Sequence, residues 1–233
     1  NATFLDTLET VAGIGRSVWG RNEGGALATT VSEPFAMFAG ANNTLYITSS
    51  LESTLMELRR GKIAIKAGIS GGAFKDGHVS VATLDEPTGG CVDPDTGVIY
   101  VVDGGNCRIR KISRLDVVSS IGTGEMATRD GPFARCAFTF PFAICLGRED
   151  NFYVSEHSAI RLLDARRGAV KTITGHAGAG FNDGDLHLAK FRGLKELAFQ
   201  DGLIFVSDNG NDRIRRIDLA KEKVTTLVGP LSS

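Results

Sequence analysis

The sequence is poor in several things at once. No run of about eighteen apolar residues occurs, so no segment reads as a membrane-spanning helix. Only 6 of the 233 residues are proline, against 29 glycines, a balance that favours many tight turns over a disordered linker. Neither charge is in excess: Lys and Arg number 26, Asp and Glu 27, for a net charge of −1. A general attraction to nucleic acid or to acidic membranes is therefore not expected. No helical stripe of 3.6-residue period runs long enough to matter.

What is present is a period. The chain is 42% hydrophobic, enough for a substantial core, and its length requires no more than one domain, spanning 1–233. The glycine of an acidic-Gly pair falls at Gly24, Gly77, Gly131 and Gly184, in steps of 53, 54 and 53 residues. Ten residues on lie Pro34, Pro87 and Pro141, with Leu194 in the last unit. A second glycine ends each unit at Gly68, Gly122, Gly175 and Gly229. Coincidences at one spacing define a repeat array.

Each unit holds four short strand-like runs. The first is apolar and rich in small residues, as in PFAMFAG and PFAICLG, the pattern of a buried inner strand. The second is β-branched and aromatic, as in VIYVVD and LIFVSD. The third alternates, which predicts Leu55, Ile109, Ile160 and Ile214 buried and Arg110, Arg161 and Arg215 exposed. The fourth, as in KVTTLVG, interleaves polar residues like an outer strand. Turn chemistry separates them, as at Asn209-Gly210-Asn211.

This pattern resembles the NHL repeat of β-propeller proteins. The second unit carries it most fully, in Asp76, Gly77, Ala82, Pro87, Tyr100, Val101, Asp103, Asn106, Arg108, Ile109 and Arg110. The fourth repeats it from Asp208 through Asn211, Arg213, Ile214 and Arg215. The third has Glu156 for the aspartate, and the first has Ser49 for the aspartate and Met56 for the second arginine. The resemblance implies an all-β fold, a propeller of four-stranded antiparallel blades. Its units run at about 14–68, 69–122, 123–175 and 176–229, after an extra N-terminal strand at 7–13. Propellers of this family usually have more blades. The expectation is accordingly part of a larger propeller, a homo-oligomer that completes the ring, or an unusually small ring.

The fold implies no activity. The four histidines, His78, His157, His176 and His187, are unrelated by the repeat, and no three-ligand zinc set is visible. No nucleophile elbow or phosphate-cradling loop occurs, and no cofactor or metal is called for. Asp93-Pro94-Asp95-Thr96-Gly97 lacks the later ligands of a calcium loop and reads as a turn. Inner-strand starts, which face the channel of a propeller, hold Phe35, Thr88 and Phe142; the exception is Lys195-Glu196, the channel candidates.

The loops that open the blades vary most, and they bring Trp19, His78, Phe133, Phe181 and His187 towards one face as candidate binding residues. The favoured function is a non-enzymatic binding or scaffold module for a protein or peptide. The alternatives are a metal-dependent propeller hydrolase or lyase and, ranked lower, an RNA-binding propeller. In a propeller the hairpin of Cys107 and the loop of Cys136 share a face, so a Cys107–Cys136 disulfide is expected, with Cys91 and Cys145 as buried free thiols. The chain begins at Asn1 without methionine, which reads as a removed leader or a piece of something longer. With the sequons at Asn1 and Asn42, this points to an extracellular protein or ectodomain, with a cytoplasmic location as the alternative.

Overall fold

A computed structural model describes residues 23–69 and 74–230, together with Thr10 and Ala12. It consists of four antiparallel sheets in sequence, the blades of a β-propeller. Blade one comprises β1 (Gly24–Gly25), β2 (Pro34–Ala39), β3 (Leu45–Ser49), β4 (Thr54–Arg59) and β5 (Lys62–Ala67). Blade two comprises β6 (Gly77–His78), β7 (Pro87–Val92), β8 (Ile99–Asp103), β9 (Arg108–Ile112) and β10 (Val117–Ile121). Blade three holds β11 (Gly131–Pro132), β12 (Ala143–Leu146), β13 (Asn151–Ser155), β14 (Ile160–Asp164) and β15 (Ala169–Thr174). Blade four holds β16 (Gly184–Asp185), β17 (Leu194–Gln200), β18 (Leu203–Asp208), β19 (Arg213–Asp218) and β20 (Lys223–Val228).

Every sheet thus has five strands, one more than the sequence predicts, because the acidic-Gly pair opens a two-residue strand against the outermost one. The acid does the fastening. Glu23, Asp130 and Asp183 accept the backbone N–H of Ile65, Thr172 and Thr226 at 3.0, 2.8 and 2.9 Å, and Asp76 accepts the Ser120 hydroxyl at 2.8 Å. The glycine that follows needs a backbone an L side chain rarely adopts, with φ of 147, 131, 137 and 113° at Gly24, Gly77, Gly131 and Gly184.

Inner strands pack side by side, β2 on β7, β7 on β12 and β12 on β17. Among the described residues no comparable packing joins β17 to β2, and the outer flanks of blades one and four carry more exposed apolar side chains than the flanks between blades. Ile214 shows the consequence. Its counterparts Leu55, Ile109 and Ile160 are fully buried beneath the next blade, whereas Ile214 is 38% exposed. On the opposite flank Met37 is 66% exposed. The predicted N-terminal strand lies outside the described residues, except that Ala12 packs on the blade-one cluster of Ala26, Ile47, Met56, Leu58 and Ile63.

The predicted exposure of the arginines is overturned. Arg110, Arg161 and Arg215 are among the largest fully buried side chains. Alternation correctly separates two faces of the third strand, but in a propeller both faces of a blade are covered, so the second is not solvent. Bulges at Ile160/Arg161 and Ile214/Arg215 turn the strand at the residue concerned. In blade two, Arg110 donates to Asp103 at 2.7 Å, Asp76 at 2.7 Å, and the carbonyls of Thr83 and Lys75 at 2.5 and 2.8 Å. Arg215 repeats this with Asp208 at 2.6 Å, Asp183 at 2.7 Å, and the carbonyls of Lys190 and Asn182. Arg161 does so with Glu156, Asp130 and the carbonyls of Ala137 and Arg129. Each guanidinium ties its own opening loop to the end of the second strand, and nearly all its donors are used.

Candidate functional site

The inner strands begin around one central cavity of about 720 Å³. Three positions of the repeat line it. The first is the strand start: Phe35, Thr88, Phe142 and Lys195, one from each blade. The second is the turn between the second and third strands, which supplies Ser50, Leu51, Gly104, Gly105 and His157. The third is the residue directly before Pro34, Pro87, Pro141 and Leu194, namely Glu33, Glu86, Phe140 and Gly193.

That third position has an unusual backbone. Its φ values are 42° at Glu33, 44° at Glu86, 47° at Phe140 and 62° at Gly193, all in the left-handed region. Three of the four precede proline, which already restricts the residue before it. Holding a non-glycine residue there costs on the order of 1–3 kcal/mol, and such strain persists only where the surroundings over-determine it. Here the overdetermination comes from both sides: the opening loop is pinned by the buried arginine in blades two, three and four and by the Ser49 hydroxyl on the Ser32 carbonyl in blade one, and the inner strand by its hairpin.

The floor is aromatic. Phe35 meets Phe142 edge-on with ring centres 5.3 Å apart, and the Lys195 ammonium sits 3.9 Å from the centre of the Phe142 ring. The Thr88 hydroxyl donates to the Phe142 carbonyl at 2.6 Å, linking blade two to blade three beneath the cavity. Phe140 and His157 form a second edge-on pair at 6.5 Å. Phe35, Leu51, Met126 and Phe140 are all exposed, and all four gather on this cavity. Grouped exposed apolar side chains rimmed by charge mark interaction sites in a way that scattered ones do not.

Residues singled out from the sequence fall differently. Phe35, Thr88, Phe142 and Lys195 do line the cavity. Glu196 does not; it is an exposed residue of β17, though local burial of its carboxyl holds it above the usual carboxylate range. Trp19 and Asn1 lie outside the described residues. His78 is exposed, its Nδ1 2.8 Å from the Ser80 hydroxyl. Phe133 packs on the core cluster of Cys136 and Phe138. Phe181 lies beneath the guanidiniums of Arg213 and Arg215, at 3.8 and 4.9 Å, and so belongs to the fold. His187 meets His176 with ring centres 5.3 Å apart. The structure does not bring these four together at the cavity. Asn42 is exposed at the β2–β3 turn, with φ of 56°.

The predicted Cys107–Cys136 disulfide is not formed; all four cysteines are free. Cys107 lines the central cavity, while Cys136 is sunk in the core and its thiol lies 3.5 Å from the Phe133 carbonyl. The two face different compartments of the blade. Burial pushes the Cys136 thiol up to about 11 and the Cys145 thiol up to about 12, and pushes Cys91 upward as well. These three are neutral thiols, poor nucleophiles at physiological pH.

Asp93, Asp95 and Asp150 bring carboxylate oxygens within 4.8 Å of one another between blades two and three. Asp93 already accepts the N–H groups of Asp95 and Thr96 at 3.0 and 3.2 Å, and Asp150 accepts Arg166 at 2.6 Å. Burial alone acts to raise Asp93, but these hydrogen bonds and the Thr96 hydroxyl hold it below the usual range, as a turn acid.

No protein-family model matches the chain. The Protein SUPPRESSOR OF QUENCHING 1, chloroplastic, of Arabidopsis thaliana is 26% identical over 207 residues, which is 80% of this chain and 20% of that protein. Among solved structures, a streptogramin B lyase aligns with a TM-score of 0.58 at 15% identity, over 90% of this chain and 58% of the other. A nidogen/laminin complex aligns with a TM-score of 0.59 at 13% identity, over 84% and 64%. An auxiliary nutrient binding protein from Bacteroides ovatus gives a TM-score of 0.54 at 15% identity, over 82% and 47%. The chain therefore spans about a fifth of the curated relative and less than two thirds of these structures. A lyase, a complex and a binding protein share one architecture with this chain, and what they establish is that it is a β-propeller.

Proposed function

We propose that this is a non-enzymatic binding module of NHL type that holds a protein or peptide segment in the central cavity. The observation that carries the reading is the gathering of Phe35, Leu51, Met126 and Phe140, all exposed, around one cavity with charged side chains at its rim. Bound segments commonly bury a bulky anchor in such a pocket and leave the polar rim to set orientation. The NHL assignment draws on the Asp-Gly and Arg-Ile-Arg positions, which account for the fastening of blades two and four and, with Asp130 and Arg161, of blade three.

Peptide display on immobilised protein tests it. Enrichment of a sequence class on the wild type, lost when Ser50→Trp fills the cavity mouth, is the expected result. Equal enrichment on both proteins would sink the cavity as the binding site. A second reading, a metal-dependent lyase, draws on the fold likeness to streptogramin B lyase and on His157, Glu33 and Glu86 at the rim. A divalent metal retained stoichiometrically after dialysis, and lost in Glu33→Gln, would favour it.

Two further expectations belong to this reading. A second copy docking on the flanks of blades one and four, where Ile214 and Met37 are exposed, would complete a ring. Light scattering that finds only monomer across a concentration series excludes it. An extracytoplasmic location now leans on the Asn42 sequon alone among the described residues, since the free thiols withdraw the disulfide argument. A mass shift on glycosidase treatment of secreted protein is its test.

A further inference from the structure

The left-handed position before each inner strand carries three different kinds of residue across the four blades on nearly the same backbone. Blades one and two present carboxylates, Glu33 and Glu86; blade three presents an aromatic ring, Phe140; blade four presents no side chain, at Gly193. Among the described residues neither carboxylate is engaged in an ion pair, whereas Asp76, Asp130 and Asp183, the acids that precede glycine, each hold an arginine. Both are exposed at the rim. The one cation at the strand starts, Lys195, stands on blade four and is held over the Phe142 ring at 3.9 Å. The rim is therefore polarised, acidic on blades one and two and basic on blade four, above a floor of Phe35 and Phe142.

We infer that the cavity selects a cationic aromatic group: a bulky aromatic or apolar side chain of a peptide with a basic residue directly beside it. This rests on the binding-module reading and names its ligand chemistry. The aromatic body enters between Phe35, Phe140 and Phe142, where edge and face contacts add to the apolar area buried. The basic group meets Glu33 and Glu86. Lys195 disfavours a second cation at the far rim and is placed to donate to a peptide carbonyl or carboxylate there. Gly193 leaves the blade-four rim without a side chain, so a peptide main chain can leave the cavity on that side.

The aromatic contact supplies most of the affinity and the rim supplies the choice, because exposed charge pairs contribute little individually. Two of them amount to about a fivefold preference for cation over anion. The probes are tryptamine, indole-3-acetate and butylamine, titrated by NMR into the wild type, the Ser50→Trp variant and a Glu33→Gln/Glu86→Gln double variant. Tryptamine is expected to bind the wild type, indole-3-acetate about fivefold or more weakly, and butylamine not measurably at the same concentrations. Ser50→Trp abolishes both aromatic titrations, and the double variant closes the gap between the two indoles.

Indole-3-acetate binding as well as tryptamine to the wild type overturns the inference, as does tryptamine binding that Ser50→Trp leaves intact. Should the double variant fold poorly, added salt is the second measurement. It must narrow the gap between the two indoles on the wild type, and a salt-independent gap overturns the proposal. Peptide display separates this from the reading beneath it. Enriched acidic peptides would refute the ligand chemistry and keep the binding module, whereas tryptamine selectivity without any enriched peptide would do the reverse.

Discussion

Blade one holds Met56 where blades two, three and four hold Arg110, Arg161 and Arg215, and Ser49 where they hold Asp103, Glu156 and Asp208. All eight of these side chains are buried. In the three charged blades a guanidinium gathers two carboxylates and two carbonyls; in blade one Met56 joins an apolar cluster, and Ser49 donates to the Ser32 carbonyl at 2.5 Å. The same backbone therefore closes around an ion network or around a thioether. That is the behaviour expected of buried ion pairs, whose desolvation largely offsets their attraction, so that exchange of the whole set for apolar contacts is tolerated while loss of one member is not. The charged version adds direction: it names which loop must dock on which strand.

The comparison is broken most directly by removing one charge. Arg215→Met leaves Asp208 buried and unpaired and is expected to lose about 3–5 kcal/mol in denaturant unfolding. Adding Asp208→Ser copies blade one and should recover much of that loss. A double variant as unstable as the single would show that blade one is held by something other than its apolar substitution. The reverse exchange, Met56→Arg, strands a cation opposite Ser49 and is expected to cost about 3 kcal/mol, with Ser49→Asp restoring part of it.

Smaller effects separate the two jobs of a blade. Glu86→Gly relieves a left-handed residue and should stabilise by about 0.5–1 kcal/mol while weakening tryptamine binding; Gly193→Ala should destabilise by a similar amount. Stability gained without any loss of binding would remove Glu86 from the site. The acids that precede glycine give the pH dependence. Burial acts to raise Asp130, but the Thr172 N–H and hydroxyl and the Arg161 guanidinium together hold it below the usual carboxylate range. Its folded value is thus depressed. The stability it adds is present above about pH 4, its ordinary value, and is lost as pH falls through the folded value. In Asp130→Asn the acid limb of stability against pH should be shallower, and an unchanged limb would assign that slope to other groups. Smallest is the thiol count: all four cysteines should alkylate after unfolding without reductant, with no change in mass on reduction.

The period, the blades and the channel-facing start of each inner strand were legible because glycines and prolines at fixed spacing report backbone requirements directly. The fate of the arginines was not. A period of two says that Ile109 and Arg110 face opposite ways, and nothing in it says that both ways lead into protein. Glu33, Glu86 and Phe140 escaped notice for a related reason. A residue before proline is ordinarily read as extended backbone, whereas in the folded chain it lies in the left-handed region over a cavity. Their one signal was position, directly before Pro34, Pro87 and Pro141, where the repeat is otherwise strict and Phe140 departs from the two glutamates. Phe181 misled in the other direction, since an aromatic in a variable loop also serves as a lid over a guanidinium.

The left-handed position has a consequence for how such a chain diversifies. Its geometry is set from outside, by the pinned loop and the proline, so the side chain it bears is nearly free of folding duty. Glutamate and glycine are one nucleotide apart in the genetic code, as are glutamate and lysine. Each repeat therefore offers one codon at which a point mutation rewrites the rim of the cavity without moving a strand, and duplicated blades can drift apart in what they recognise while remaining the same blade.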